Sequence, residues 1–158
     1  AAKLAKLRPI MSEFGYLQYR VQVEMTWFVA LSDAGFDEFK PLSKAARSHL
    51  LSIMANFSER DAQAIKDIEK VTNHDVKAVE YYIKEQLDVN GLGQYKELVH
   101  FGLTSQDINN TAFPLMIRHG INEIVFPALK KVLTDIQQKA SSGPRMSCRR
   151  LWCFSNQR

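Results

Sequence analysis

Residues 12–35 read SEFGYLQYRVQVEMTWFVALSDAG. Phe14, Leu17, Val21, Met25 and Phe28 recur at steps of three and four, which is the spacing of one helix face rather than of a strand. Pro9 and Ser12 precede the stretch as start signals, and Asp33-Ala34-Gly35 closes it with a glycine able to take the left-handed conformation after a helix. The aromatic residues Phe14, Tyr16, Tyr19, Trp27 and Phe28 lie on both sides of this helix and read as packing groups.

Working outward, the same period continues. A loop with Pro41 leads to a helix over about 43–55 that buries Ala46, Leu50 and Met54. Ser58 with Asp61 three residues on forms a capping-box pattern that opens a third helix, through about Lys70, with Ala62, Ile65 and Ile68 inward. The fourth starts near Asn73, where Asn is a good N-cap and Asp75 complements the dipole; Val76, Val79, Ile83 and Leu87 form its stripe. Asn90-Gly91 and Gly93 break the chain, and a short helix ends at His100-Phe101-Gly102. One helix over about 105–118 follows, and then a long one through Ala140 with Ile117, Ile121, Ile124, Ala128, Val132 and Ile136 on one face, kinked at Pro127. The class is all-α.

The formal net charge is +4 over 158 residues. The whole excess sits in the last 18 residues, as Arg145, Arg149, Arg150 and Arg158; residues 1–140 balance at 17 basic against 17 acidic. The body therefore carries no basic field of the kind that binds nucleic acid. The segment 141–158 also holds both cysteines, Cys148 and Cys153, and contains no Lys, Asp or Glu. Its composition reads as translation in a shifted frame, with a genuine basic extension as the alternative. The two thiols lack the neighbours for a zinc site, and no metal or cofactor is expected. No apolar run of about 18 residues occurs, so no membrane contact is expected, and the start lacks signal-peptide features; the expected location is the cytoplasm.

Two segments concentrate small hydrogen-bonding groups at helix starts, where unpaired N–H groups and the dipole favour an anion. They are TNHDVKAVE, residues 72–80, and HFGLTSQDINNT, residues 100–111. On spacing alone Asn73 is a cap, Asp75 a dipole partner, and Thr104 or Ser105 a cap with Asp107. His100 reads as a helix-ending histidine without a role, and His49 and His119 are isolated.

These two segments resemble the adenylosuccinate lyase family of the fumarase/aspartase superfamily, and the resemblance runs from about Lys3 to Ala140. It implies a small N-terminal helical domain, residues 1–118, and the start of a central-bundle helix, residues 119–140, followed by the non-homologous tail 141–158. It implies that Asn73, His74 and Asp75 meet the nucleotide part of a small-molecule substrate, adenylosuccinate or SAICAR. Thr104 and Ser105 would meet a carboxylate of its succinyl group, with Asn109 and Asn110 in support. The family works as a homotetramer whose sites draw on three subunits. Its general acid His, in an R-T-H-G-like segment, its base Ser, in an S-S-x-M-P-H-K loop, and its phosphate-binding D-G-R-Y have no counterpart in this sequence, so no catalytic residue is assigned here. Argininosuccinate lyase and fumarase write other residues at the two motifs. The alternative outside enzymes is a helical interaction module that uses the apolar face of 120–140.

Overall fold

The computed structural model describes residues 4–142. Cys148, Cys153 and the four tail arginines lie outside the described residues. Among the described residues there are six α-helices and no strand: α1 Glu13–Asp33, α2 Lys44–Ala55, α3 Glu59–Thr72, α4 Asp75–Val89, α5 Ser105–Gly120 and α6 Phe126–Ser142. A 3-10 turn, Gly93–Leu98, links α4 to α5, and a π turn, Ile121–Val125, links α5 to α6.

Helix α1 is the axis of the fold, packed against α2, α3, α4 and α5. Its N-cap Ser12 accepts from the Gly15 N–H at 3.2 Å, and Gly35 takes φ +85° just past its end, both as the sequence implies. Gly15 is required for a second reason. A Cβ there would lie 2.0 Å from the Ile10 carbonyl oxygen, so the preceding segment can lie against α1 only without a side chain. Val21, Met25, Phe28, Leu50, Ile65, Val79, Ile83 and Leu87 are fully buried in one cluster, each large one contributing roughly 1.5–3 kcal/mol. Phe28 packs on Phe39 and Phe39 on Tyr95, with ring centroids 4.8 and 4.9 Å apart, and Phe14 meets Phe57 at 5.6 Å. The Ser58–Asp61 capping box at the start of α3 is present.

Two expectations need correction. The fourth helix is capped by His74, and Asn73 instead ends α3 in the left-handed region at φ 52°. Asn tolerates that conformation because its short side chain bonds locally. Nor do α5 and the last helix separate near Arg118. Gly120 is helical at φ −58°, ψ −40°, so nothing stops the rod there. In the π turn the Phe126 N–H bonds back to the Ile121 carbonyl, and Pro127, which has no N–H to give, follows at once. The distortion expected at Pro127 thus falls just before it. Pro114, inside α5, does not interrupt that helix.

Helix α6 buries no residue and leaves Phe126, Leu129, Val132, Leu133 and Ile136 exposed by more than half. With none of their side chains buried among the described residues, amides of residues 128–140 are expected to exchange hydrogen close to open-chain rates in a dilute monomeric sample, and those of Val21, Met25, Val79 and Ile83 slowest of all. Slow exchange across 128–140 in the monomer contradicts this account.

Candidate functional site

The α3–α4 corner is a two-residue joint. After left-handed Asn73, His74 takes an extended backbone (φ −146°, ψ 114°), and its Nδ1 accepts the Lys77 N–H at 3.2 Å. A nitrogen that accepts carries no hydrogen, so the ring proton is on Nε2, on an imidazole that is half open to solvent. Asp75 follows with two partners. Its Oδ1 accepts the Val76 N–H at 2.8 Å, and its Oδ2 accepts from the Arg20 guanidinium at 2.5 Å. Partial burial raises the Asp75 carboxyl, but the Val76 N–H and the Arg20 charge outweigh it and hold the group below the usual carboxylate range.

At the start of α5, Thr104 is the N-cap. Its N–H and hydroxyl both donate to Asp107 Oδ2, at 2.7 and 2.8 Å, which lowers the Asp107 carboxyl. Thr104 is therefore committed to capping as a donor, whereas the Ser105 hydroxyl, on the first residue of the helix, makes no hydrogen bond among the described residues. One turn on, Asn109 Oδ1 accepts from Arg20 Nε at 3.0 Å and from the Tyr16 hydroxyl at 2.9 Å. Asn110 instead accepts from Gln106 at the surface.

The structure thus ties both motif segments to one group that sequence reading passed over. Arg20 is only 6% exposed, reaches α4 through Asp75 and α5 through Asn109, and lies with Cζ 4.1 Å over the Tyr16 ring. The signal for it was a cation one residue from the apolar stripe of α1, too common to single out. Asn73 and Asn110 make no bond to this cluster. A concavity of 930 Å³ between α3 and α4 touches the first motif only at Thr72 and Lys77, and its Lys77, Lys84 and Lys96 are each paired with acids. No group of three or more metal-binding side chains occurs among the described residues.

The profile of the lyase family matches residues 2–143. The chain belongs to the lyase family. Its similarity to individual lyases is close over that span. It is 44% identical over 140 residues to the adenylosuccinate lyase of Haemophilus influenzae, covering 87% of this chain and 31% of that protein. For the adenylosuccinate lyase of Dictyostelium discoideum the identity is 46% over 143 residues, covering 85% and 30%. For that of Escherichia coli it is 41% over 140 residues, covering 87% and 31%. The chain spans about three-tenths of the length of these curated relatives. Within this lyase chain the motif segments are held from below by α1.

Removing the buried cation leaves Asp75 and Asn109 without their shared donor. R20M is expected to cost stability at the low end of the roughly 3–5 kcal/mol seen when a buried pair loses one partner, because Asp75 stays half open to water. It should also raise the Asp75 carboxyl toward its ordinary value, observable by NMR titration. In the wild type the lowered Asp75 contributes stability that is full above the unfolded carboxyl value and is lost as pH falls through the folded one. An R20M protein with unchanged stability at pH 7 and an unchanged Asp75 titration contradicts the bridge.

Proposed function

We propose that this chain is the N-terminal, substrate-binding share of an adenylosuccinate lyase, a cytoplasmic homotetrameric enzyme of purine biosynthesis. Its reaction is the β-elimination of fumarate from adenylosuccinate, giving AMP, and from SAICAR. The observation that carries the reading is the convergence of TNHD and TSQDIN on Arg20, in a chain more than 40% identical over 140 residues to proteins of that name.

In such an elimination a proton leaves the carbon beside a carboxylate and the amine departs, so negative charge grows on that carboxylate. The chemistry offered here is donation to anions. His74 has its hydrogen on the outward Nε2, Ser105 has an uncommitted hydroxyl at a helix N-terminus, and Asp75 accepts from neutral donors such as sugar hydroxyls. In this reading Thr104 contributes chiefly by fixing the helix start, and Asn73 by shaping the joint that aims His74. Neither an R-T-H-G-like segment nor an S-S-x-M-P-H-K loop occurs in the sequence, and by this reading they belong to portions of the enzyme that supply acid and base.

The chain alone is therefore expected to release no fumarate from adenylosuccinate above background. Residues 4–140 exchanged for the matching segment of the Escherichia coli relative are expected to support turnover. In that chimera S105A and H74A should each lower kcat/KM by about 10²–10³, the loss typical for one donor to a developing oxyanion. Turnover by the chain alone, or an active chimera indifferent to both substitutions, contradicts the proposal. The exposed apolar side of α6 supports a second reading, a helical interaction module; an inactive chimera with intact tetrameric assembly favours it.

A further inference from the structure

One turn above Arg20 on α1 lies Glu24, an acid with a side chain wholly removed from solvent. Its Oε1 is 2.5 Å from His100 Nδ1, and its Oε2 is buried with no partner among the described residues. His100 is held in the left-handed region at φ 64°, four residues before Thr104, and its imidazole is 18% exposed. A buried carboxylate with one oxygen unpaired opposes folding, so its presence is not explained by stability. What it does is engage one nitrogen of one imidazole.

We propose that Glu24 is a positioning residue that holds His100 as an Nδ1–H imidazole with Nε2 turned to the α5 start. Three observations carry it. First, the Nδ1–Oε1 contact uses the inner nitrogen, so any proton or hydrogen bond the ring exchanges at the surface passes through Nε2. Second, the nearby acid that would oppose a charged Glu24 is Glu80. Lys77 at 2.7 Å and Lys84 at 3.2 Å neutralise it; burial still pushes the Glu24 carboxyl up, and the hydrogen bond with His100 pulls it back toward the ionised form. In that form the carboxylate only accepts, so Nδ1 carries the hydrogen. Third, the ring neighbours Asp107, the carboxylate that caps Thr104, so a bare Nε2 sits beside the start of α5. Carboxylate and imidazole thus connect the interior of α1 to the segment that leads into α5. The proposal rests on the reading of the α5 start as a binding surface, but its test needs no substrate, so failure of binding and failure of positioning are separate results.

The test is ¹⁵N NMR of the four histidine rings in the full chain, recorded above the imidazole titration, for wild type, E24Q and E24M. The wild-type His100 ring is expected to show a protonated Nδ1 and a bare Nε2. E24Q keeps an accepting oxygen and should retain that tautomer. E24M should lose it, with faster amide exchange over residues 99–104 and a Tm close to that of wild type, the opposite of what a merely structural glutamate would give. A bare Nδ1 in the wild type overturns the proposal whatever the variants do, and so holds even if E24M fails to fold. So does a tautomer unchanged in E24M, or one lost equally in E24Q.

Discussion

A guanidinium taken almost entirely out of water is the constraint on which this structure turns. Arg20 cannot shed its charge, so burial is tolerable only when its donors are met. Asp75 meets one side, Asn109 another, and the Tyr16 ring covers a face. These partners sit on α4, α5 and α1 respectively, so satisfying one side chain fixes where two helix starts stand relative to a third helix. The apolar core packs these helices together non-directionally; the guanidinium selects the angular and axial placement that brings TNHD and TSQDIN to the same neighbourhood.

Helix α1 therefore does two jobs with two sets of residues. Leu17, Val21, Met25 and Phe28 bury the stripe that binds the domain together. Arg20 and Glu24, four residues apart and both nearly inaccessible, project to the neighbouring direction and anchor polar groups from distant segments: Asp75 and Asn109 in one case, His100 in the other. Capping chemistry then finishes the geometry locally. Thr104 and Asp107 satisfy each other, and His74 caps α4 through Nδ1 and leaves Nε2 without a partner among the described residues. Among the described residues, His74 Nε2 and the Ser105 hydroxyl make no hydrogen bond and each keeps a proton to donate.

Much of this was legible in the sequence because it is local. The α1 stripe, the Ser58–Asp61 box and Gly35 all act within a few residues of themselves, and periodicity and cap chemistry report such features well. The candidate motifs were legible too, as helix-start clusters. What escaped depended on choices between neighbours or on distance along the chain. Asn73 and His74 are both able to cap; the left-handed tolerance of Asn sent it to the end of α3, and the cap fell to His74. The α5–α6 continuity follows from Gly120 staying helical, which a glycine signals only weakly. Arg20 and Glu24 find their partners 55 to 89 residues away, and no local pattern encodes such a pairing.

The most direct test of the account is a double-mutant cycle between Asp75 and Asn109, measured by denaturant unfolding in the wild-type and R20M backgrounds. The two side chains share Arg20 rather than a hydrogen bond with each other. With Arg20 present, D75N and N109A are expected to be non-additive by more than about 0.5 kcal/mol, the threshold that separates coupled from independent sites. In R20M the coupling should vanish. Additivity in the wild-type background, or a coupling that persists without Arg20, contradicts the claim that one buried guanidinium organises both motif segments.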